Sequence, residues 1–162
     1  MNALKPGWQR LVDEANRQNV ESGETPTRPA TEEQIVSLRR RASEHELAVN
    51  EDFLTFLRYA NGIVHNGLTV PRAGLNPDPN TCKGLDDFVI YNDRTSFIEI
   101  GPVYGNSDDT YYVLYPDGKF RRLGAGDPGC VLSTHDTFFD MLTDALAMAV
   151  GGDFVIEMFQ AR

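Results

Sequence analysis

The stretch Asn50-Glu51-Asp52-Phe53-Leu54-Thr55-Phe56-Leu57-Arg58-Tyr59-Ala60-Asn61-Gly62-Ile63-Val64-His65-Asn66-Gly67-Leu68 decides the fold. Phe53, Phe56, Leu57 and Ala60 fall at i, i+3, i+4 and i+7, so they share one face of a helix. Leu54 and Arg58 are then expected on the opposite side. Asn50 is a good N-cap, because its side chain can accept from an orphan N–H of the first turn. Glu51 and Asp52 follow where the helix dipole favours negative charge. Asn61-Gly62 predicts the stop, since Gly takes the left-handed C′ conformation without a Cβ clash. Asn66-Gly67 breaks the chain again and hands over to an extended Leu68-Thr69-Val70-Pro71. The stretch reads as helix, tight double turn, then the first strand of a sheet.

Upstream, Trp8, Leu11, Val12 and Ala15 repeat the helical spacing, and Pro6 is placed to start that helix. Asn19 to Ala30 is polar and holds Gly23, Pro26 and Pro29, so it reads as a connection. Thr31-Glu32-Glu33-Gln34 is a capping box, and the helix it opens carries Ile35, Leu38 and Ala42 inward. Arg39-Arg40-Arg41 lies among Glu33, Glu44 and Glu46, which makes a mixed, solvated face rather than a basic patch.

Downstream, Arg72 to Asn80 is too rich in turn residues to be regular. Leu85 to Asn92 fits a short helix opened by Asp86-Asp87, or a strand through Phe88-Val89-Ile90-Tyr91. From Thr95 the period changes to two. Phe97-Ile98-Glu99-Ile100 reads as a strand closed by Gly101-Pro102. Tyr111 to Tyr115 is another, returning through an Asp117-Gly118 hairpin turn into Lys119 to Leu123. Its alternation puts Tyr111, Val113 and Tyr115 on one face and Tyr112 and Leu114 on the other, one of them core. Gly124 to Gly129 reads as a bend before Cys130-Val131-Leu132. Ser133, with Asp136 three residues on, resembles a cap for a helix burying Phe138, Met141, Leu142, Ala145 and Leu146 and ending at Gly151-Gly152. The tail Phe154 to Phe159 is apolar enough to dock, as strand or helix. Helices, then strands, then a helix predict an α+β fold. It is a single domain over residues 1–162, its N-terminal helices and late helix packed on a mostly antiparallel sheet.

The ordered set of motifs resembles the SUKH superfamily (the SMI/KNR type), in particular its YrhA-like branch. The residues that carry the likeness are Phe53, Phe56-Leu57, Asn61-Gly62 and Asn66-Gly67. Trp8 in the first helix, Ile98-Glu99-Ile100-Gly101 in mid-chain and Phe138-Phe139-Asp140-Met141-Leu142 in the late helix extend it. Asn50 stands where the family pattern has Pro, and Phe53 replaces a commoner Tyr. Residues 72–94 align with nothing in the family pattern, although the resemblance favours a helix near 85–92.

Bulk properties narrow the function. A chain of 162 residues is long enough to bury about 68–70% of its unfolded surface. It has no run of ~18 apolar residues that would span a membrane. Met1 to Pro6 leads into a polar amphipathic helix rather than the apolar core of a signal peptide, so a cytoplasmic location is expected. Cys82 and Cys130 would stay thiols in a reducing compartment. The formal charge is −9. Residues 1–60 hold 8 basic and 10 acidic groups, and 61–162 hold 7 and 14. Phosphate neutralisation needs clustered cations, so direct nucleic-acid binding is not expected.

No catalytic machinery is legible. His45, His65 and His135 have no metal-ligand spacing with each other or with either Cys, and each reads as a surface or capping residue. The Gly101 to Asp109 segment lacks the alternating acids and terminal Glu of a calcium loop. Gly124 to Gly129 has no helix directly after it to hold a phosphate. Neither a cofactor nor a metal is expected. The resemblance implies an immunity protein that neutralises a cognate secreted toxin in the cytosol by occluding its active site. The alternatives are a regulatory interaction scaffold or, less readily, a small Cys/His enzyme. Acidic loops would meet a basic, nuclease-type toxin domain. The expected contact residues are Asp86, Asp87, Asp93, Asp108 and Asp109, with Tyr104 and Tyr112 as aromatic anchors. The competing reading is that these acids only solubilise the chain.

Overall fold

The helical spacing of the first sixty residues is realised in three helices. The structure is a computed structural model and describes residues 4–44, 49–70, 72–73, 99–103, 110–115, 117–124 and 127–155. Helices α1 (Gly7–Glu21), α2 (Glu32–Glu44) and α3 (Glu51–Tyr59) come first. Six strands follow: β1 (Ile63–His65), β2 (Leu68–Val70), β3 (Glu99–Val103), β4 (Thr110–Leu114), β5 (Phe120–Gly124) and β6 (Asp127–His135). Helix α4 (Phe138–Val150) closes the order. The strands lie in chain order, and every described pairing is antiparallel. The fold is α+β, as the sequence predicts.

The caps explain where the helices begin. The Asn50 side chain accepts from Asp52 N at 2.9 Å and Phe53 N at 3.2 Å. Thr31 and Gln34 exchange the two bonds of a capping box, at 2.9 and 3.2 Å. α1 runs on through Glu21, into the stretch read as a connection, because Gln18 and Asn19 find partners on other elements. It ends at Ser22 and Gly23, the latter at φ +87°.

α3 differs from its expected amphipathic form. Phe53, Phe56 and Leu57 are buried, but so is Leu54 at 0% exposure, which corrects its assignment to the outer side. Core groups surround the helix so widely that only Glu51, Thr55 and Arg58 remain exposed. The double turn is corrected too. Asn66 (φ +45°) and Gly67 (φ +83°) form a two-residue hairpin turn with two left-handed residues, and His65 faces Leu68 across it. This is the type I′ geometry that Asn-Gly favours. A strand, β1, therefore precedes the second Asn-Gly.

Three further boundaries move. Gly101-Pro102 does not close β3 but lies inside it, where the register shifts between Glu99 and Pro102, and Pro102 stands opposite Tyr111. β6 starts at Asp127 and takes in Ser133, which pairs with Arg122. The cap of α4 is Thr137, whose Oγ1 accepts from Asp140 N at 3.1 Å. The expected element at 85–92 lies outside the described residues, as does the tail beyond Val155. Phe154 and Val155 sit in a helical turn and pack partly against the core.

The motif residues converge in that core. The Trp8 ring stacks on Phe139 at 4.7 Å and meets Tyr59 edge-on at 5.3 Å. Phe138 lies 5.3 Å from Phe53, 5.8 Å from Phe56 and 5.9 Å from Phe120, joining α3, α4 and the sheet. Burying an aromatic or aliphatic side chain is worth roughly 1.5–3 kcal/mol, so each ring of this cluster adds to the stability of the fold.

Candidate functional site

A polar joint lies where the end of α1 meets the β1–β2 hairpin. His65 is buried at 5% exposure, which corrects its reading as a surface residue. Its Nδ1 lies 2.6 Å from Asn19 Oδ1, and its Nε2 lies 2.8 Å from Gln18 Oε1. Both amides are oriented by other bonds. Asn19 Nδ2 donates to Val64 O at 2.9 Å. Gln18 Nε2 donates to Glu14 Oε1 at 2.9 Å and to Val150 O at 3.1 Å. Asn66 Nδ2 donates to Ala149 O at 2.8 Å and lies 3.2 Å from His65 Nε2. α1, the hairpin and the end of α4 are thus tied by one hydrogen-bonded set.

The charges follow from these contacts. Arg17 forks onto Glu14, Nη2 to Oε1 at 2.6 Å and Nε to Oε2 at 2.9 Å, and also pairs with Glu21. The Arg17 guanidinium holds the Glu14 carboxyl below its usual range, against the opposing effect of burial. Burial pushes the His65 imidazole down, and the Glu14 charge offsets part of that.

One flank of this joint opens into a groove of about 790 Å³. Its first wall is β1, its second the connection through residues 24–31, and its floor Asn61 and Gly62. The second wall is not a free loop. Thr27 N donates to Asn16 Oδ1 at 3.1 Å, Ala30 N to Leu57 O at 2.8 Å, and Arg28 O accepts from Asn61 N at 2.8 Å. The floor is equally constrained. Gly62 sits at φ +79°, and a Cβ there would lie 2.9 Å from Val70 O and from Arg72 Cβ. Asn61 Oδ1 accepts from Ala73 N at 2.8 Å. Among the described residues the lining mixes hydroxyl, amide and charged groups, Arg28, Arg72 and Glu24 among them, with Pro29, Ile63, Val64 and His65.

A second polar cluster joins β4, β6 and α4. Tyr112 OH donates to Asp144 Oδ2 at 3.1 Å, and His135 Nε2 lies 3.6 Å from the same oxygen and 3.1 Å from Ser133 Oγ. Ser, His and Asp come together here without the geometry of a nucleophilic triad. In a triad the acid holds one ring nitrogen while the hydroxyl faces the other. Here both face Nε2.

Of the expected contact residues, Asp86, Asp87, Asp93, Tyr104, Asp108 and Asp109 lie outside the described residues. Tyr112 does not serve as an exposed anchor. It is 1% exposed, its ring is core, and burial followed by the Asp144 charge pushes its hydroxyl pKa up. Of the Arg39-Arg40-Arg41 run, Arg39 and Arg40 are exposed as a solvated face predicts, and Arg39 pairs with Glu51 at 2.8 Å. Arg41, however, is half-buried and donates to Ser37 Oγ at 3.1 Å. Arg58 of α3 pairs with Glu32 at 2.7 Å. Cys130 is a free, exposed thiol, while Cys82 and His45 lie outside the described residues. Among the described residues, no three His, Cys, Asp or Glu side chains are grouped to hold a metal, and no helix is long and apolar enough to cross a membrane.

Sequence reasoning missed the groove. Its only sequence signal is the density of Ser, Thr, Asn and Arg between residues 19 and 31, which reads equally well as ordinary connection chemistry. No protein-family model, curated protein or solved structure matches the chain.

Proposed function

We propose that this chain is a cytoplasmic immunity protein that binds a cognate secreted toxin and occludes its active site. The observation that carries the reading is the convergence of the motif residues. Trp8, Phe53, Phe56 and Phe138 come from three separate segments and meet in one cluster. Asn66-Gly67 makes the hairpin that follows. Four of the residues behind the family resemblance thus lie in one core cluster, which supports the reading. The charge of −9 supports a basic partner, such as a nuclease-type domain.

The test is co-expression with the product of the open reading frame immediately upstream. Growth rescue and a stable complex on gel filtration are expected. A toxic neighbour that is neither bound nor neutralised sinks the reading. Reversing Asp86 with Asp87, and Asp108 with Asp109, to Lys should slow association roughly tenfold at low salt and flatten its salt dependence. Unaltered rates in both pairs would leave those acids as solubilising groups.

A further inference from the structure

We propose that Asn66-Gly67 is a self-modification site, where loss of ammonia converts Asn66 to aspartate or isoaspartate and releases the hairpin from α4. The chemistry suits a carboxamide followed by glycine, because a residue without a side chain lets its backbone nitrogen approach the preceding Cγ most closely. Gly67 N gives up its proton to hydroxide and attacks Asn66 Cγ. The Cγ–Nδ2 bond breaks, and Nδ2 leaves as ammonia. Water then opens the cyclic imide at either carbonyl. Attack at Cγ gives aspartate, and attack at the main-chain carbonyl gives isoaspartate, whose backbone runs through Cγ and is longer by that carbon. The sum is one water consumed and one ammonium released, with no oxidant or reductant.

The chain holds two Asn-Gly pairs of similar intrinsic reactivity, and their surroundings separate them. At Asn61 the attack is obstructed. Gly62 N–H already donates to Ala60 O at 2.9 Å, and Asn61 Oδ1 is held by Ala73 N at 2.8 Å. Gly62 is also buried, with Val70 O and Arg72 Cβ pressed against the position of a Cβ, so its backbone has no room to turn. Asn66 instead is exposed at a hairpin tip. The bonds that close the turn run between His65 and Leu68, and among the described residues no acceptor takes the Gly67 N–H. The restraint there falls on the leaving nitrogen. Asn66 Nδ2 donates to Ala149 O at 2.8 Å and lies 3.2 Å from His65 Nε2. Each opening of the α4 end therefore frees the reacting carboxamide. Either product removes that donor and sets a carboxylate against the Ala149 carbonyl, acceptor against acceptor. Isoaspartate also lengthens a two-residue turn that fixes the register of β1 on β2.

The test is ageing of the whole chain in ammonium-free, mildly alkaline buffer, read by mass spectrometry of the tryptic peptide spanning residues 59–72. Electron-transfer fragmentation resolves Asn61 from Asn66 and isoaspartate from aspartate. In the folded chain Asn66 should convert roughly tenfold faster than Asn61, whereas in urea the two should convert at similar rates. Gln18→Leu, which loosens the joint, should speed Asn66 roughly tenfold and leave Asn61 unchanged. The aged wild-type chain, like fresh Asn66→Asp, should lose amide protection in the hairpin and at the end of α4. Equal rates at the two sites in the folded chain, or no conversion of Asn66 there, overturn the site. A preference for Asn66 that persists in urea belongs to the flanking sequence and overturns the structural discrimination. Acceleration of both sites by Gln18→Leu assigns the reaction to global unfolding and overturns the gating by α4. Unchanged amide exchange in the converted wild-type chain overturns the release of the hairpin.

Discussion

Two regions hold α1 to the rest of the molecule, and they do so by opposite physics. Along its first three turns, Trp8, Leu11, Val12 and Ala15 enter the aromatic core, where attraction is non-directional and follows buried area. At its last turns, Gln18 and Asn19 reach the end of α4 and the hairpin through hydrogen bonds that each need a donor facing an acceptor, with Glu14 of the same helix orienting Gln18. The apolar region should lose stability in proportion to the volume removed. The polar region should respond to single atoms and to single protons.

The largest expected effect lies in the apolar region. Phe56 is fully buried between Trp8 and Phe138, so Phe56→Ala should cost roughly 3–5 kcal/mol in urea unfolding. Leu54→Ala should cost roughly 2–5 kcal/mol, because that side chain is just as buried. A Leu54→Ala midpoint near wild type would mean α3 is amphipathic after all, as its spacing alone suggests.

That reversal shows how far the sequence could be read. Period 3.6 identified α1, α2, α3 and α4, and capping chemistry placed the starts of α2 and α3 at Thr31 and Asn50. Periodicity reports one face of a helix. It is silent on whether neighbours also cover the other, so Leu54 was misplaced. Ile63-Val64-His65 is too short to show a period and sits between two turn signals, which hid β1. Ser133 and Asp136 satisfy a cap pattern, yet ladder pairing with β5 takes precedence and the cap passes to Thr137. The polar joint and the groove were the least legible. Their members come from α1, the connection, β1 and α4, and no local pattern links Gln18 to His65 across 47 residues.

The glycine that links the two regions comes next in size. Gly62→Ala must adopt φ +79° and bring its Cβ within 2.9 Å of the Val70 backbone oxygen. The left-handed conformation alone costs roughly 1–2 kcal/mol, and a backbone atom cannot easily step aside. Gly118→Ala is the control, with φ +81° and open space around the position. Thermal unfolding should rank Gly62→Ala well below Gly118→Ala. Equal losses would show that the β1 end moves freely, against the rigid floor described for the groove.

In the polar region, Gln18→Leu tests direction rather than volume. The substitution keeps most of the side-chain bulk but removes the partner of His65 Nε2, Glu14 and Val150 O at once. Buried groups left unpaired should cost roughly 1–3 kcal/mol. Loss of amide protection at Asn66 and at the end of α4, with the Trp8 environment unchanged by fluorescence, would locate the effect in the joint. A concerted change at Trp8 would mean that the two regions unfold as one.

The smallest effect is the response of His65 to pH, and its sign discriminates between two forces. Burial disfavours the imidazolium and lowers the folded pKa below the ordinary 6.5. The unfolded chain then binds more protons than the folded one just below pH 6.5, so stability rises with pH through that window and levels off above it. One proton limits the slope to about 1.4 kcal/mol per pH unit. Glu14, the charge that acts on the ring, opposes this shift, and its own titration belongs to a lower range because Arg17 depresses it. Yet Asn19 and Gln18 present an oxygen to each ring nitrogen, which favours a ring protonated at both, whereas the Asn66 amide nitrogen 3.2 Å from Nε2 favours that nitrogen as an acceptor. If burial dominates, urea unfolding from pH 8 to pH 5 should show stability falling below pH 6.5, and His65→Gln should remove that part of the slope. If stability rises instead as pH falls, the two amide oxygens outweigh burial, and the joint is held by a buried cation.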